Sequence, residues 1–115
     1  MKATEQTILQ VQRFINKIAQ KFPPSDETTL LTDIHIRVYQ ESGELRAFDD
    51  EENEITRCVV EQWIDNNNEN FYEEVASLLR IELKKTACTI DQLSIMKPYS
   101  FVLENEDKEN VAELY

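Results

Sequence analysis

The chain has 115 residues, a formal net charge of −11, one glycine, one histidine and two cysteines. That length suits a single domain, which buries somewhat over ~60% of the surface its unfolded chain exposes and so holds one apolar core. The lone Gly43 excludes the usual phosphate-cradling and dinucleotide-binding loops, which need several glycines, and the acid excess disfavours nucleic acid and anionic membranes, which select clustered Lys and Arg.

Residues 4–22 read as a helix. Ile8, Val11, Ile15, Ile18 and Phe22 recur at steps of three and four, with Leu9 and Phe14 on a flank and Arg13, Asn16, Lys17 and Gln20 on the polar side. Lys2, Arg13, Lys17 and Lys21 against Glu5 give residues 1–22 a net charge of +3. Pro23-Pro24 ends the helix, because the residue before a proline avoids the α region, and residues 23–28 form a short linker. The start of the chain has no apolar run of signal-peptide length, and no stretch approaches ~18 consecutive apolar residues. The expectation is a soluble, cytoplasmic protein that does not bind membranes.

A hairpin is expected over 30–49. Leu30, Ile34, Ile36 and Val38 alternate with Leu31, Asp33, His35, Arg37 and Tyr39, the period of a half-buried strand. Glu41-Ser42-Gly43-Glu44 is the turn, with Gly43 supplying φ > 0. Leu45 and Ala47 alternate with Arg46 and Phe48 on the return.

A helical pair is expected over 51–87. Asp49-Asp50-Glu51-Glu52-Asn53-Glu54 precedes Ile55, Cys58, Val59, Gln62 and Trp63, which fall on one helical stripe, so the acids are read as favourable charge at a helix N-terminus. Asn66-Asn67-Asn68 stops this helix. The next runs from about Glu69 to Ala87, with Phe71, Val75, Leu78, Leu79 and Leu83 on its apolar face and Lys84-Lys85 near its negative pole. Fifteen acids against Arg37, Arg46 and Arg57 give residues 23–74 a net charge of −12. Thr89-Ile90-Asp91-Gln92 has capping-box spacing and opens one further turn.

Residues 98–115 read as a second hairpin, with Phe101 and Leu103 opposite Ser100 and Val102, a polar turn over 104–110, and a last strand from Val111. The expected fold is therefore α+β: an N-terminal helix, then β-β-α-α-β-β, with helices packed on an antiparallel sheet of about four strands, all in one domain over 1–115.

Few residues carry chemistry. With Asp50 at position one of a calcium loop, Glu52, Glu54 and Glu61 fall at positions three, five and twelve, but Ile55 occupies the position that needs glycine, so no metal site is assigned. His35 shares a strand face with Asp33 and Arg37 and has no nucleophile or second histidine in the pattern, so it reads as a polar residue on an open sheet face. Neighbouring acids such as Glu73/Glu74 point in different directions on a helix and make no dyad. Cys58 and Cys88 form no metal or redox motif and read as buried thiols in helices. No catalytic residue and no cofactor is assigned.

Trp63 and Phe71 read as core, whereas Tyr72 lies off the apolar stripe. The candidate partner surface is therefore Tyr39, Phe48, Asp49, Asp50, Glu51, Glu52, Glu54 and Tyr72. The function expected is that of a small, acidic, non-enzymatic interaction or regulatory domain with a protein partner, homo-oligomers included. Two alternatives are an acidic decoy that occupies a nucleic-acid-binding protein's basic groove, and a sensor with a small molecule between sheet and helices.

Overall fold

The computed structural model describes residues 4–22, 32–64, 66, 68–90, 93, 95 and 99–115, without the side chains of 88 and 89. The linker over 23–28, Leu30 and Leu31, Asp91-Gln92 of the capping box, Pro98, and the Cys88 side chain lie outside the described residues.

The first helix, α1 (Glu5–Lys21), begins where Thr4 caps it by accepting a hydrogen bond from Thr7 N at 3.1 Å. Val11, Phe14, Ile15 and Ile18 are buried, while Ile8 is only half-buried, so the docked stripe is rotated towards Phe14. The first hairpin follows as expected: β1 (Ile34–Tyr39) and β2 (Glu44–Phe48) pair antiparallel, with Ile36 opposite Ala47. Gly43 has φ +71°, and its carbonyl accepts from Val60 N at 2.8 Å. A Cβ there would lie 2.7 Å from Val60 O and 2.8 Å from Ile64 Cγ1, so glycine is needed for space as well as for φ.

The next segment corrects the sequence reading. Residues Glu54–Val59 form a strand, β3, and only Glu61–Trp63 take a single turn of 3-10 helix. The helical spacing of Ile55, Cys58 and Val59 coexists with a strand alternation of Thr56, Cys58 and Val60. Pairing with β2, Leu45 opposite Cys58 and Ala47 opposite Thr56, satisfies the backbone and selects the strand. The acidic run is thus the β2–β3 turn and not a helix start. Cys58 is half-buried on an edge strand, not buried in a helix.

The main second helix, α2 (Phe71–Lys85), buries Phe71, Val75, Ala76, Leu79 and Leu83, and a short turn, α3 (Ala87–Ile90), follows. Glu82 is also buried on α2. Gln12 Nε2 of α1 donates to it at 2.9 Å, and Lys85 Nζ lies 3.1 Å away. The C-terminal hairpin comprises β4 (Phe101–Glu104) and β5 (Asn110–Glu113).

The class is α+β, but the sheet has five strands in the order β3-β2-β1-β4-β5, and β1 and β4 run parallel. The expected four-stranded antiparallel sheet is corrected on both points. The long connection through α2 returns the chain beside β1, and such a crossover lets two neighbours run in the same direction. Both long helices lie on one face of the sheet. Trp63, Phe14, Phe71, Phe101, Ile34 and Ile36 fill the layer between them, each at most 1% exposed.

Candidate functional site

The strand alternation that buries Ile34, Ile36 and Val38 sends His35, Arg37 and Tyr39 to the opposite face of the sheet. Across the register, β2 places Phe48 opposite His35 and Arg46 opposite Arg37, while β4 places Val102 opposite His35 and Glu104 opposite Arg37. This face therefore gathers one histidine, two arginines and a carboxylate at its centre. The β2–β3 turn folds its acids over one side of it.

The contacts form a continuous chain. Asp50 Oδ1 lies 2.6 Å from His35 Nε2, and His35 Nδ1 lies 2.9 Å from Glu104 Oε2. The other oxygen of Glu104 accepts from Arg37 Nε at 3.1 Å and Nη2 at 2.7 Å. Arg37 Nη2 also donates to Glu52 Oε2 at 3.1 Å, and Lys108 Nζ stands 3.7 Å from the same oxygen. The Arg37 guanidinium lies over the Phe48 ring, 4.2 Å from its centroid, and its side chain is only 3% exposed. A second, more exposed chain runs along β2 and β3. Arg46 stacks over Tyr39 at 4.7 Å and pairs with Glu44, and Glu54 accepts from Arg57 at 2.8 Å.

The turn itself is organised by Asp49. Its Oδ1 accepts from the backbone N–H of Glu51 and of Asn53, each at 2.9 Å. Glu52 sits at φ 65° and Lys108 at φ 67°, a left-handed conformation that costs about 1–2 kcal/mol in a residue bearing a Cβ. The ion pairs to Arg37 and between these two residues oppose that cost.

Titration follows the geometry. Burial would lower the His35 pKa, but the hydrogen bonds and charges of Asp50 and Glu104 outweigh it, and the value lies above the ordinary 6.5. Burial would raise the carboxyl of Glu52. The hydrogen bond from Arg37, with the charges of Arg37, Lys108 and His35, holds it below the ordinary value. Burial pushes the Cys58 thiol up to about 11, so it carries little thiolate at neutral pH.

The expected partner surface divides. Phe48, Asp50 and Glu52 join the His35–Glu104–Arg37 chain, while Tyr39 and Glu54 join the Arg46 chain. Asp49 is spent inside the turn, and Glu51 stands exposed. Phe48 is buried under Arg37 rather than open, and Tyr39 is half-buried under Arg46, so neither ring is a free anchor. Tyr72 lies on the helical side, half-buried and edge-on to Phe71 at 5.3 Å between ring centroids. Burial, with the charges of Glu106 and Asp107, raises its pKa.

Asp33, expected beside His35, instead accepts from Ser100 N at 2.8 Å. Glu104 is the residue that sequence reasoning missed. It lies 69 positions from His35, and the alternation of Phe101 and Leu103 already marked it as facing away from the core. Among the described residues, no group of His, Cys, Asp and Glu has the arrangement of a metal site, and no helix is long and apolar enough to cross a membrane. Comparison with protein-family models, with curated proteins and with solved structures finds no match to this chain.

Proposed function

We propose that this chain is a small, acidic, non-enzymatic interaction or regulatory domain that docks a cationic surface of another protein through the β2–β3 turn and the open face of its sheet. The observation that carries this reading is the exposure of Asp50, Glu51 and Glu52 on one turn that is hydrogen-bonded to the sheet, with exposed Glu54 directly after it at the start of β3. Carboxylates already held by hydrogen bonds lose less conformational freedom on binding, and negative potential steers a basic partner into place. Of the aromatic rings first expected to anchor a partner, Phe48 and Tyr39 support arginines instead.

The decoy alternative draws on the same carboxylates and differs only in the partner, a protein whose basic groove otherwise holds nucleic acid. The sensor alternative draws less support, because large apolar side chains fill the layer between sheet and helices.

The test compares partner capture from cell lysate by the wild-type chain and by a triple variant, Asp50→Lys, Glu51→Lys and Glu54→Lys. A specific partner retained by the wild type, lost with rising salt and absent from the variant is the expected result. Equal capture by both chains would refute the assignment of this turn. Displacement of that partner by competing DNA or RNA would select the decoy form.

A further inference from the structure

We infer that the proton on His35 works as a latch, holding the Asp50 end of the β2–β3 turn to the centre of the sheet and releasing that end when the proton leaves, while Glu52 stays on Arg37. The latch is internal to the chain and stands whether or not the acidic turn takes a partner.

Proton counting carries the argument. Both ring nitrogens lie within hydrogen-bond distance of carboxylate oxygens, Nε2 at 2.6 Å from Asp50 and Nδ1 at 2.9 Å from Glu104. A carboxylate has no proton to donate, and a neutral imidazole has one N–H. The two bonds need one proton more than a neutral imidazole and two carboxylates contain. Imidazole, with an ordinary pKa of ~6.5, takes that proton before a carboxyl group at ~4 does. His35 in this arrangement is therefore an imidazolium donating to both acids.

The ion-paired groups around His35 balance only in that state, and the other nearby charges, Asp33 and Glu113, are both negative. From its own strand His35 has Asp33 and Arg37 on the same side, and β2 contributes Phe48, which carries the Arg37 guanidinium. The turn contributes Asp50 and Glu52, β4 contributes Glu104, and the β4–β5 turn contributes Lys108 on Glu52. Glu113 of β5 stands beyond Val102. Asp33 is engaged by Ser100 N. Within the connected chain, the carboxylates Asp50, Glu52 and Glu104 face Arg37, Lys108 and the His35 proton. Losing the proton leaves one unbalanced negative charge and sets a nitrogen lone pair against a carboxylate.

The geometry also says which contact gives way. Glu104 has an 11% exposed side chain and keeps two bonds from Arg37. Asp50 is 49% exposed, and among the described residues its carboxylate is otherwise held only by Asp33 N at a longer 3.3 Å. Deprotonation therefore frees Asp50 and, with it, the bond from Asp50 N to Thr32 Oγ1. The His35 side chain is 25% exposed, so its proton exchanges with solvent without unfolding.

The experiment is an NMR titration of the full chain across the neutral to mildly alkaline range. It follows the His35 ring nitrogens, the backbone amides of residues 49–53, and the hydrogen-exchange protection of the Asp50 amide. The expected result is a doubly protonated ring below a midpoint that exceeds 6.5, turn amides that shift with the same midpoint, and Asp50 protection that falls once intrinsic exchange is corrected for. Asp50→Asn, which leaves Glu104 and Arg37 in place, should lower the ring midpoint by about one pH unit. A midpoint at or below 6.5 would overturn the latch. So would turn amides and protection that ignore the ring titration, since His35 would then be a static ion pair. An unchanged midpoint in Asp50→Asn would equally overturn it.

Discussion

The two faces of one sheet are held by different physics. On the helical face, β1 contributes Ile34, Ile36 and Val38 to a layer shared with α1 and α2, and these contacts are non-directional and additive in area. On the open face the same strand contributes His35, Arg37 and Tyr39 to ion pairs that depend on position and on protons. Arg37 is about as inaccessible as the core residues although it faces away from both described long helices, because Phe48, Glu52 and Glu104 enclose it. The face away from the helices can thus still bury charge, provided the sheet register and the adjoining turn together supply the partners. Such a face is sensitive to the loss of one member in a way that an apolar layer is not.

The comparison can be tested by removing one element from each face. On the helical face, Ile15→Ala should cost about 2–5 kcal/mol in denaturant unfolding, because Ile15 is 2% exposed and its site cannot fully collapse. An unchanged midpoint would mean that α1 is not docked.

On the open face, Glu104→Ala should cost about 3 kcal/mol, because it takes two hydrogen bonds from the buried Arg37 charge and leaves it only the half-exposed Glu52. The paired change Arg37→Met with Glu104→Leu should recover most of that loss. If the single variant behaves like a surface substitution, the open face contributes nothing to the fold.

Gly43→Val touches both faces through the hairpin. A positive φ and the approach of Val60 O should together cost about 2 kcal/mol or more, read as a drop in melting temperature. A neutral effect would show that the turn relaxes freely.

The pH response near neutrality is expected from His35 on the open face. The folded pKa of His35 lies above 6.5, so its stabilising contribution is fully present below about 6.5 and is lost as pH rises through the folded value. The melting temperature of the wild type should therefore fall towards that of His35→Gln from about pH 6 to about pH 9. A gap that stays constant would assign His35 a packing role only. The smallest effect is expected at the outer pair. Arg57→Ala should change stability by under about 1 kcal/mol, because its side chain is 58% exposed.

Local patterns were legible. The steps of four and three in Val11, Ile15 and Ile18, the steps of four in Val75, Leu79 and Leu83, and the alternation of Ile34, Ile36 and Val38 each mark an element and its buried side, because those periods follow from backbone geometry. Gly43 marks its own turn, since only glycine suits both its φ and its neighbours.

The segment from Ile55 to Val59 was not legible, because a short apolar run satisfies both periods and acids before it suit a helix start as well as a turn. Pairing with β2 decided it, at the register that sets Cys58 opposite Leu45. The parallel placement of β4 beside β1 is likewise a tertiary outcome, since it rests on contacts between residues 67 positions apart, such as Ile34 and Phe101.

The His35 cluster lies at the far end of the same scale. The sequence by itself determined that His35 would face away from the core, because alternation is local. Only the folded sheet decided that Asp50 and Glu104 would reach its two nitrogens, 15 and 69 positions away, because hydrogen bonds between side chains depend on register and loop path rather than on any repeat along the chain.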